Sequence, residues 1–94
     1  MKSPPDTVAP RTIRTAADVG PLVRATRRAQ SMRIDDAAAL TGVSVDLFSR
    51  LENGKGAVRL DKLLAVLDGL GLALIVGPKE HPAMQAPGSG PEQT

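Results

Sequence analysis

The sequence predicts a small all-α domain whose core consists of aliphatic side chains. Four stretches between residues 16 and 70 combine helix-forming residues with capping and stop signals, and one short stretch favours a strand. Hydrophobic residues make up 41% of the 94 residues, but Phe48 is the only aromatic residue. A chain of this length is expected to form one domain. Because a core of this size is marginal, we expect oligomerisation to add stability.

The residue inventory argues against an enzyme or a metal protein. The chain has no Cys, and His81 is its only His. This composition removes thiolate metal sites, thiol nucleophiles and most acid–base pairs. No apolar run approaches the roughly 18 residues of a membrane span, and the N-terminus has no apolar signal region. We therefore expect a cytoplasmic protein without catalytic residues, metal or cofactor.

The positions of the prolines outline the folded region. Seven of the eight prolines lie outside residues 16–76. The C-terminal stretch is rich in Pro and Gly and has almost no apolar side chains to bury. We expect residues 1–15 to form a flexible arm, residues 16–76 to fold, and residues 77–94 to form a disordered tail.

The first helix is predicted to start after Thr15, with Asp18 at the capping-box position. Its inward positions at helical spacing are Val19, Val23, Thr26 and Gln30. Pro21 leaves two alternatives for the helix start. Either Pro21 lies in the second turn and removes one backbone donor, or the helix begins nearer Asp18, where a proline is harmless.

Three further helices follow. Residues 35–41 begin with two aspartates, continue with helix formers and end at Gly42. Ser44 is a suitable N-cap for the next helix, which ends at Gly54. The last helix is amphipathic and is closed by Gly69 or Gly71. Its apolar positions are Leu60, Leu63, Leu64 and Leu67.

The five residues after Gly71 favour a β-strand. They are Leu72, Ala73, Leu74, Ile75 and Val76, and Gly77 and Pro78 end the stretch. A single strand has no partner within this chain, yet its backbone donors and acceptors need hydrogen bonds.

Residues 37–55 have the pattern of a helix-turn-helix. Ala37 and Ala38 allow two helices to cross closely, and Gly42 allows the positive φ of the turn. The apolar wedge beneath the second helix consists of Val43, Phe48 and Leu51. Any tight pair of helices needs similar residues, so this motif alone fits a DNA-binding and a structural role equally. Residues 11–33 hold six arginines and one acid, which suits phosphate binding or a solvated basic face.

The wider pattern resembles the phage-repressor-like (Xre/Cro) helix-turn-helix family over residues 16–70. The residues that carry the resemblance are Arg24, Arg27, Met32, Ala38, Gly42–Ser44, Phe48, Leu51–Lys55 and the leucines of the last helix. The strand that directly follows this helix resembles that of HipB-type antitoxins, dimeric repressors partnered with HipA-type kinase toxins. The resemblance implies a repressor-like domain of four to five helices that forms a homodimer by pairing residues 72–76 of two chains. It also implies a palindromic operator in double-stranded DNA and a HipA-like kinase toxin as partners.

The resemblance also assigns roles to individual residues. Arg27 and Glu52 match a salt bridge between the first and third helices. The positions that face the major groove are matched by Ser44, Val45, Asp46, Ser49 and Arg50. Asn53 and Lys55 match a phosphate-contacting loop. The structural alternatives are N-capping for Ser44 and a solvated turn for Asn53 and Lys55.

Two departures from the family pattern affect the expected DNA surface. Arg33 and Ile34 stand where the family has a Ser or Thr cap and a Gln that touches the DNA backbone. Arg33 can contact phosphate, but it cannot cap the helix in the same way. Asp46 places a carboxylate on the DNA-facing side, where it accepts a hydrogen bond from cytosine N4, complements the helix N-terminus or weakens binding.

The resulting expectation is a sequence-specific DNA-binding repressor that is the antitoxin and autorepressor of a HipBA-like operon. One alternative is a stand-alone Xre-family regulator without a toxin. Another is a helix-turn-helix scaffold that binds only protein, its DNA surface disabled by Ile34 and Asp46.

Overall fold

The computed structural model describes residues 8–84, and this range contains four α-helices and one 3₁₀ turn. These elements are α1 (Ala16–Ala29), α2 (Ile34–Thr41), α3 (Val45–Glu52), α4 (Leu60–Gly69) and the turn Pro82–Met84. Helix α3 packs against α1 and α2, and α4 packs against α2. The all-α prediction is therefore confirmed. Residues 1–7 of the expected arm and 85–94 of the expected tail lie outside the described residues.

Asp18 organises the start of α1. Its Oδ2 atom accepts hydrogen bonds from the backbone N–H of Arg14 at 2.8 Å and of Thr15 at 2.9 Å. These two bonds, that of Arg14 first, lower the pKa of Asp18. The helix begins at Ala16 and contains Pro21 in its second turn, so the alternative start near Asp18 is wrong.

All four helices end in the same way, with a residue in the left-handed conformation. These residues are Ser31 (φ 57°), Gly42 (φ 78°), Gly54 (φ 66°) and Gly71 (φ 82°). After each of them, the next backbone N–H bonds back to a carbonyl of the last turn, as in the 2.8 Å bond from Leu72 to Leu67. This is the Schellman arrangement, which satisfies carbonyls at the helix end. Gly71 is thus the stop of α4, and Gly69 is its last helical residue.

The core lies where the four helices meet. Its buried apolar residues are Val19, Val23, Ala37, Ala38, Phe48, Leu51, Val66, Leu67 and Leu70. Phe48 is fully buried, Leu51 is buried and Val43 packs against the core, which confirms the predicted wedge under α3. Because α3 has only eight residues, too few to be stable alone, this packing determines where it lies.

Helix α4 buries a different face from the predicted one. Leu67 is buried and Leu63 is partly buried, but Leu60 and Leu64 are 63% and 43% exposed. The buried face consists of Leu63, Val66, Leu67 and Leu70, which is also an i, i+3, i+4, i+7 set. Two overlapping apolar stripes run along α4, and packing against α2 selects the second one.

Helix α1 approaches the end of α3 so closely that only glycine fits at the contact. A Cβ atom at Gly20 would lie 2.8 Å from the carbonyl oxygen of Leu51 and would also clash with that of Glu52. Both opposing atoms belong to the backbone, so a side-chain movement cannot make room. Gly20 therefore sets the distance between α1 and α3.

The strand predicted over residues 72–76 is absent from the single chain, which contains no strand within residues 8–84. This part of the prediction is therefore corrected. Leu72 packs against the core, whereas Leu74, Ile75 and Val76 are 46%, 65% and 88% exposed. In this part of the chain, no neighbouring segment offers backbone groups for residues 73–77 to pair with. A strand cannot form without such a partner.

Candidate nucleic-acid interface

Helix α3 separates a buried inner face from an exposed outer face. Phe48, Leu51 and Glu52 are buried. Helical geometry places Asp46 and Arg50 on the opposite side, with Ser49 beside them. Asp46 is exposed, and Ser49 and Arg50 are partly exposed. Val45 is exposed too, but it lies one turn before Phe48, on the side of the buried residues. The outer face is therefore a polar surface that no other helix covers.

Ser44 caps the start of α3. Its Oγ atom accepts a hydrogen bond from the backbone N–H of Leu47 at 3.0 Å. Ser44 is exposed, so its hydroxyl also lies at the surface next to the outer face. The capping alternative considered from the sequence is present in the structure, and it leaves the hydroxyl hydrogen available to a further acceptor.

A buried ion pair holds the inner end of α3 to α1. The Glu52 side chain is 2% exposed, and its Oε2 and Oε1 atoms accept hydrogen bonds from Nε and Nη2 of Arg27 at 2.6 and 3.1 Å. Arg27 also donates Nη1 to the carbonyl of Met32 at 2.9 Å. The hydrogen bond to Glu52 raises the pKa of Arg27, so the guanidinium stays charged.

Arg24 extends this ion pair to the loop that follows α3. Its Nε lies 3.4 Å from Glu52 Oε1, and its Nη2 donates to Asn53 Oδ1 at 2.9 Å. Asn53 in turn donates Nδ2 to the carbonyl of Ser49 at 2.8 Å. Arg24 belongs to the family pattern, but no role was predicted for it. The signal was its i, i+3 spacing to Arg27, which places both arginines on one face of α1.

On the outer face, Arg50 and Asp46 are linked one turn apart. Arg50 Nε donates to Asp46 Oδ2 at 3.1 Å, and the two side chains are 42% and 81% exposed. Lys55 follows α3 in the loop, where its backbone N–H bonds to the carbonyl of Arg50 at 2.9 Å. Lys55 is exposed, so its ammonium group lies in solvent beside the same helix.

Arg33 and Ile34 lie apart from this group, at the start of α2. Arg33 is the N-cap residue without a side-chain capping bond, and its Nε lies 3.4 Å from Asp35 Oδ1. Within residues 8–84, no hydrogen bond or ion pair joins Arg33 to α3. Ile34 packs against the core, which explains an apolar residue where the family has a Gln.

The interface is a surface and not a deep pocket. A hollow of about 70 Å³ lies between the start of α1, the end of α3 and the loop at Gly54–Gly56. Small-molecule sites usually measure about 300–1,000 Å³. In the described range, no three His, Cys, Asp or Glu residues are grouped to hold a metal ion, and no helix is long and apolar enough to cross a membrane. An exposed helix with cationic and polar side chains suits a large, charged partner.

Comparisons with known proteins agree with this geometry. The helix-turn-helix domain family matches residues 18–74. The chain is 40% identical over 70 residues to the HTH-type transcriptional regulator y4mF of Sinorhizobium fredii, covering 73% of this chain and 92% of that protein.

Two solved structures have a similar fold. One is a chain of the HipA–HipB–O2–O3 complex, with a TM-score of 0.66 and 16% identity over 74% of this chain and 99% of that chain. The other is the restriction-modification controller protein C.AhdI from Aeromonas hydrophila. It gives a TM-score of 0.57 and 22% identity over 62% of this chain and 84% of that chain.

Proposed function

The chain belongs to the helix-turn-helix domain family and is a DNA-binding transcriptional regulator, and from this premise we propose that it is a sequence-specific repressor. In this proposal a homodimer binds a palindromic operator and places one α3 from each copy in successive major grooves, about 34 Å apart. Its operon would encode a toxin that the repressor neutralises.

One observation carries the DNA-binding part of the proposal. The inner face of α3 is fixed by Phe48, Leu51 and the buried Glu52, while its outer face presents polar groups that α1, α2 and α4 leave uncovered. A recognition helix needs this division, because base contacts require a defined register and exposed side chains. Ser44, Ser49 and Arg50 are the proposed contacts on α3, and Arg33, Asn53 and Lys55 are the proposed phosphate contacts.

A titration of operator and scrambled duplexes at two salt concentrations tests this part. The duplexes are the promoter fragment of the protein's own operon and a sequence-scrambled version. Lys55→Gln is expected to weaken binding to both duplexes by the same factor and to reduce the salt slope by about 1, because a phosphate contact releases counterions regardless of sequence. Lys62→Gln on α4 is the control. If the unmodified protein binds neither duplex at low salt, the repressor proposal is wrong.

The proposed dimer uses the segment after α4. Leu74, Ile75 and Val76 are exposed, and the backbone groups of residues 73–77 make no hydrogen bonds within the described chain. Two copies that meet here would bury these side chains and pair these backbone groups. Ile75→Pro removes one backbone donor and is expected to shift the protein towards monomer in sedimentation experiments. Ile75→Thr, which keeps the donor and β-branching, is the control, and a stable monomer of the unmodified protein at micromolar concentration would refute the proposal.

The proposed toxin partner is a HipA-like kinase. Support comes from the match over nearly the whole of a chain in the HipA–HipB–O2–O3 complex and from the apolar stretch that directly follows α4. A regulator without a toxin is the second candidate, favoured by the fold shared with the restriction-modification controller C.AhdI. Co-expression with the product of the adjacent gene decides between them. A kinase-like product that co-purifies with this chain and becomes toxic without it supports the first candidate, whereas an unrelated neighbour supports the second.

A further inference from the structure

The pairing of Asp46 with Arg50 controls which donors the arginine presents. Arg50 Nε is occupied by the Asp46 carboxylate at 3.1 Å. The two terminal amino groups of Arg50 make no hydrogen bond within residues 8–84. The groups of the guanidinium that remain for a ligand are therefore the terminal nitrogens Nη1 and Nη2.

The loop after α3 lies close to the same guanidinium. Arg50 Nη1 lies 3.4 Å from the position that a Cβ atom would take at Gly56. The hydrogen bond to Asp46 and the nearby loop reduce the number of rotamers that Arg50 adopts before it binds. Ordering a long side chain in advance reduces the entropy cost of binding.

The neighbouring carboxylate also favours one of two kinds of acceptor that an arginine can bind in DNA, a guanine edge or a phosphate. Guanine presents O6 and N7 side by side in the major groove, which matches two parallel N–H donors. A phosphate offers oxygens too, but it carries a negative charge that Asp46 repels. The guanine edge has no net charge and avoids this repulsion.

We propose that Asp46 is a positioning residue that orients Arg50 towards the major-groove edge of a guanine, so that the pair specifies one G·C base pair in each half-site. This inference rests on the proposed function, since it requires α3 to enter the major groove. It gives Asp46 a role that differs from reading a cytosine itself and from weakening DNA binding.

The test begins by selecting bound sequences from a pool of duplexes with randomised centres, using the full-length protein. Affinities are then measured for four duplexes that differ only at the selected G·C pair. Arg50→Ala is expected to lower affinity for the guanine duplex by roughly 5- to 150-fold and to remove the preference at that position, as for one bidentate contact. Asp46→Asn, which keeps the side-chain shape, is expected to reduce the guanine preference several-fold at the same base pair. In the Arg50→Ala background, Asp46→Asn is expected to have no further effect on that preference.

The control is Asp61→Asn, which removes an exposed carboxylate paired with Arg59 at 3.0 Å on α4. It is expected to leave the preference unchanged. Two results would overturn the inference: Asp46→Asn strengthening binding to all four duplexes equally, or changing selectivity at a different base pair. If the pool yields no bound sequence at low salt, the repressor proposal itself fails, and this inference fails with it. Circular dichroism of each variant confirms that it is folded.

Discussion

The buried ion pair between Arg27 and Glu52 allows the strongest quantitative prediction. In Glu52→Leu the carboxylate is removed but the side-chain volume is roughly kept, so the change isolates the charge. Arg27 is only 13% exposed and would lose the acceptors of its 2.6 and 3.1 Å hydrogen bonds. Removing one partner of a buried pair typically costs about 3–5 kcal/mol, because the other charge is left without compensation.

This cost is large for a domain of this size. At about 0.05–0.15 kcal/mol per residue, the described domain has a free energy of unfolding of about 4–12 kcal/mol. Each kcal/mol lowers the melting temperature of a small domain by about 4–8 °C, so Glu52→Leu is expected to lower it by at least about 12 °C. Thermal and urea denaturation followed by circular dichroism measure this change.

A double-mutant cycle with Arg27→Met tests the reasoning behind the number. The double variant removes both charges of the Arg27–Glu52 pair and leaves only Arg24, which is 40% exposed, without its Glu52 contact. It is therefore expected to be more stable than Glu52→Leu alone. The reasoning is refuted if Glu52→Leu costs the same free energy whether residue 27 is Arg or Met. In that case the attachment of α1 to α3 depends on apolar packing around Phe48 and not on the ion pair.

Three further substitutions test the geometry of the helices. Gly20→Ala places a Cβ atom against the backbone of α3 and is expected to lower the free energy of unfolding by about 1–3 kcal/mol in urea denaturation. Gly77→Ala is the control, because its Cβ atom would meet only Met84 at 3.6 Å, and it is expected to cost much less. Ser31→Gly relieves the strain of a left-handed residue at the end of α1 and is expected to stabilise the protein by about 1 kcal/mol. Ala29→Gly within the helix is expected to destabilise it. Equal effects of the two substitutions would contradict the prediction of strain at Ser31. Asp18→Asn is expected to lower stability at neutral pH. Since the pKa of Asp18 is lowered on folding, the stabilisation is fully present above the ordinary value of 3.8. It is lost as the pH falls through the lowered pKa of the folded protein, so the melting temperatures of the two proteins should converge in acid.

The local features of the fold were predictable from the sequence because their signals lie within a few residues. Asp18 and Ser44 mark helix starts by providing acceptors for backbone N–H groups, and Gly42, Gly54 and Gly71 mark helix ends by their tolerance of positive φ. Two helix ends show the limit of this reasoning. Ser31 adopts the conformation usually given to glycine, and Gly69, one of the two predicted stops of α4, is instead its last helical residue.

Features that depend on two elements were harder to predict. The choice between two apolar stripes on α4 depends on where α2 lies, and the need for glycine at position 20 depends on a crossing that the sequence does not show. The strand at residues 72–76 depends on a partner that a single chain does not supply. In the candidate site, helical periodicity predicted the outer residues of α3. The link from Arg24 through Asn53 to Ser49 depends on side-chain contacts between separate elements, which periodicity does not predict.

The two faces of α3 predict different relationships between stability and DNA binding. The inner residues Phe48, Leu51 and Glu52 determine where the helix lies, so changing them should reduce stability and binding together. Changes at the outer residues Asp46 and Arg50 remove an ion pair that is not buried, and such a pair contributes at most about 1 kcal/mol to stability. Their effect on DNA binding should therefore exceed their effect on unfolding by a wide margin. A variant of the outer face that loses binding only in proportion to its stability would show that α3 supports the fold without reading the DNA.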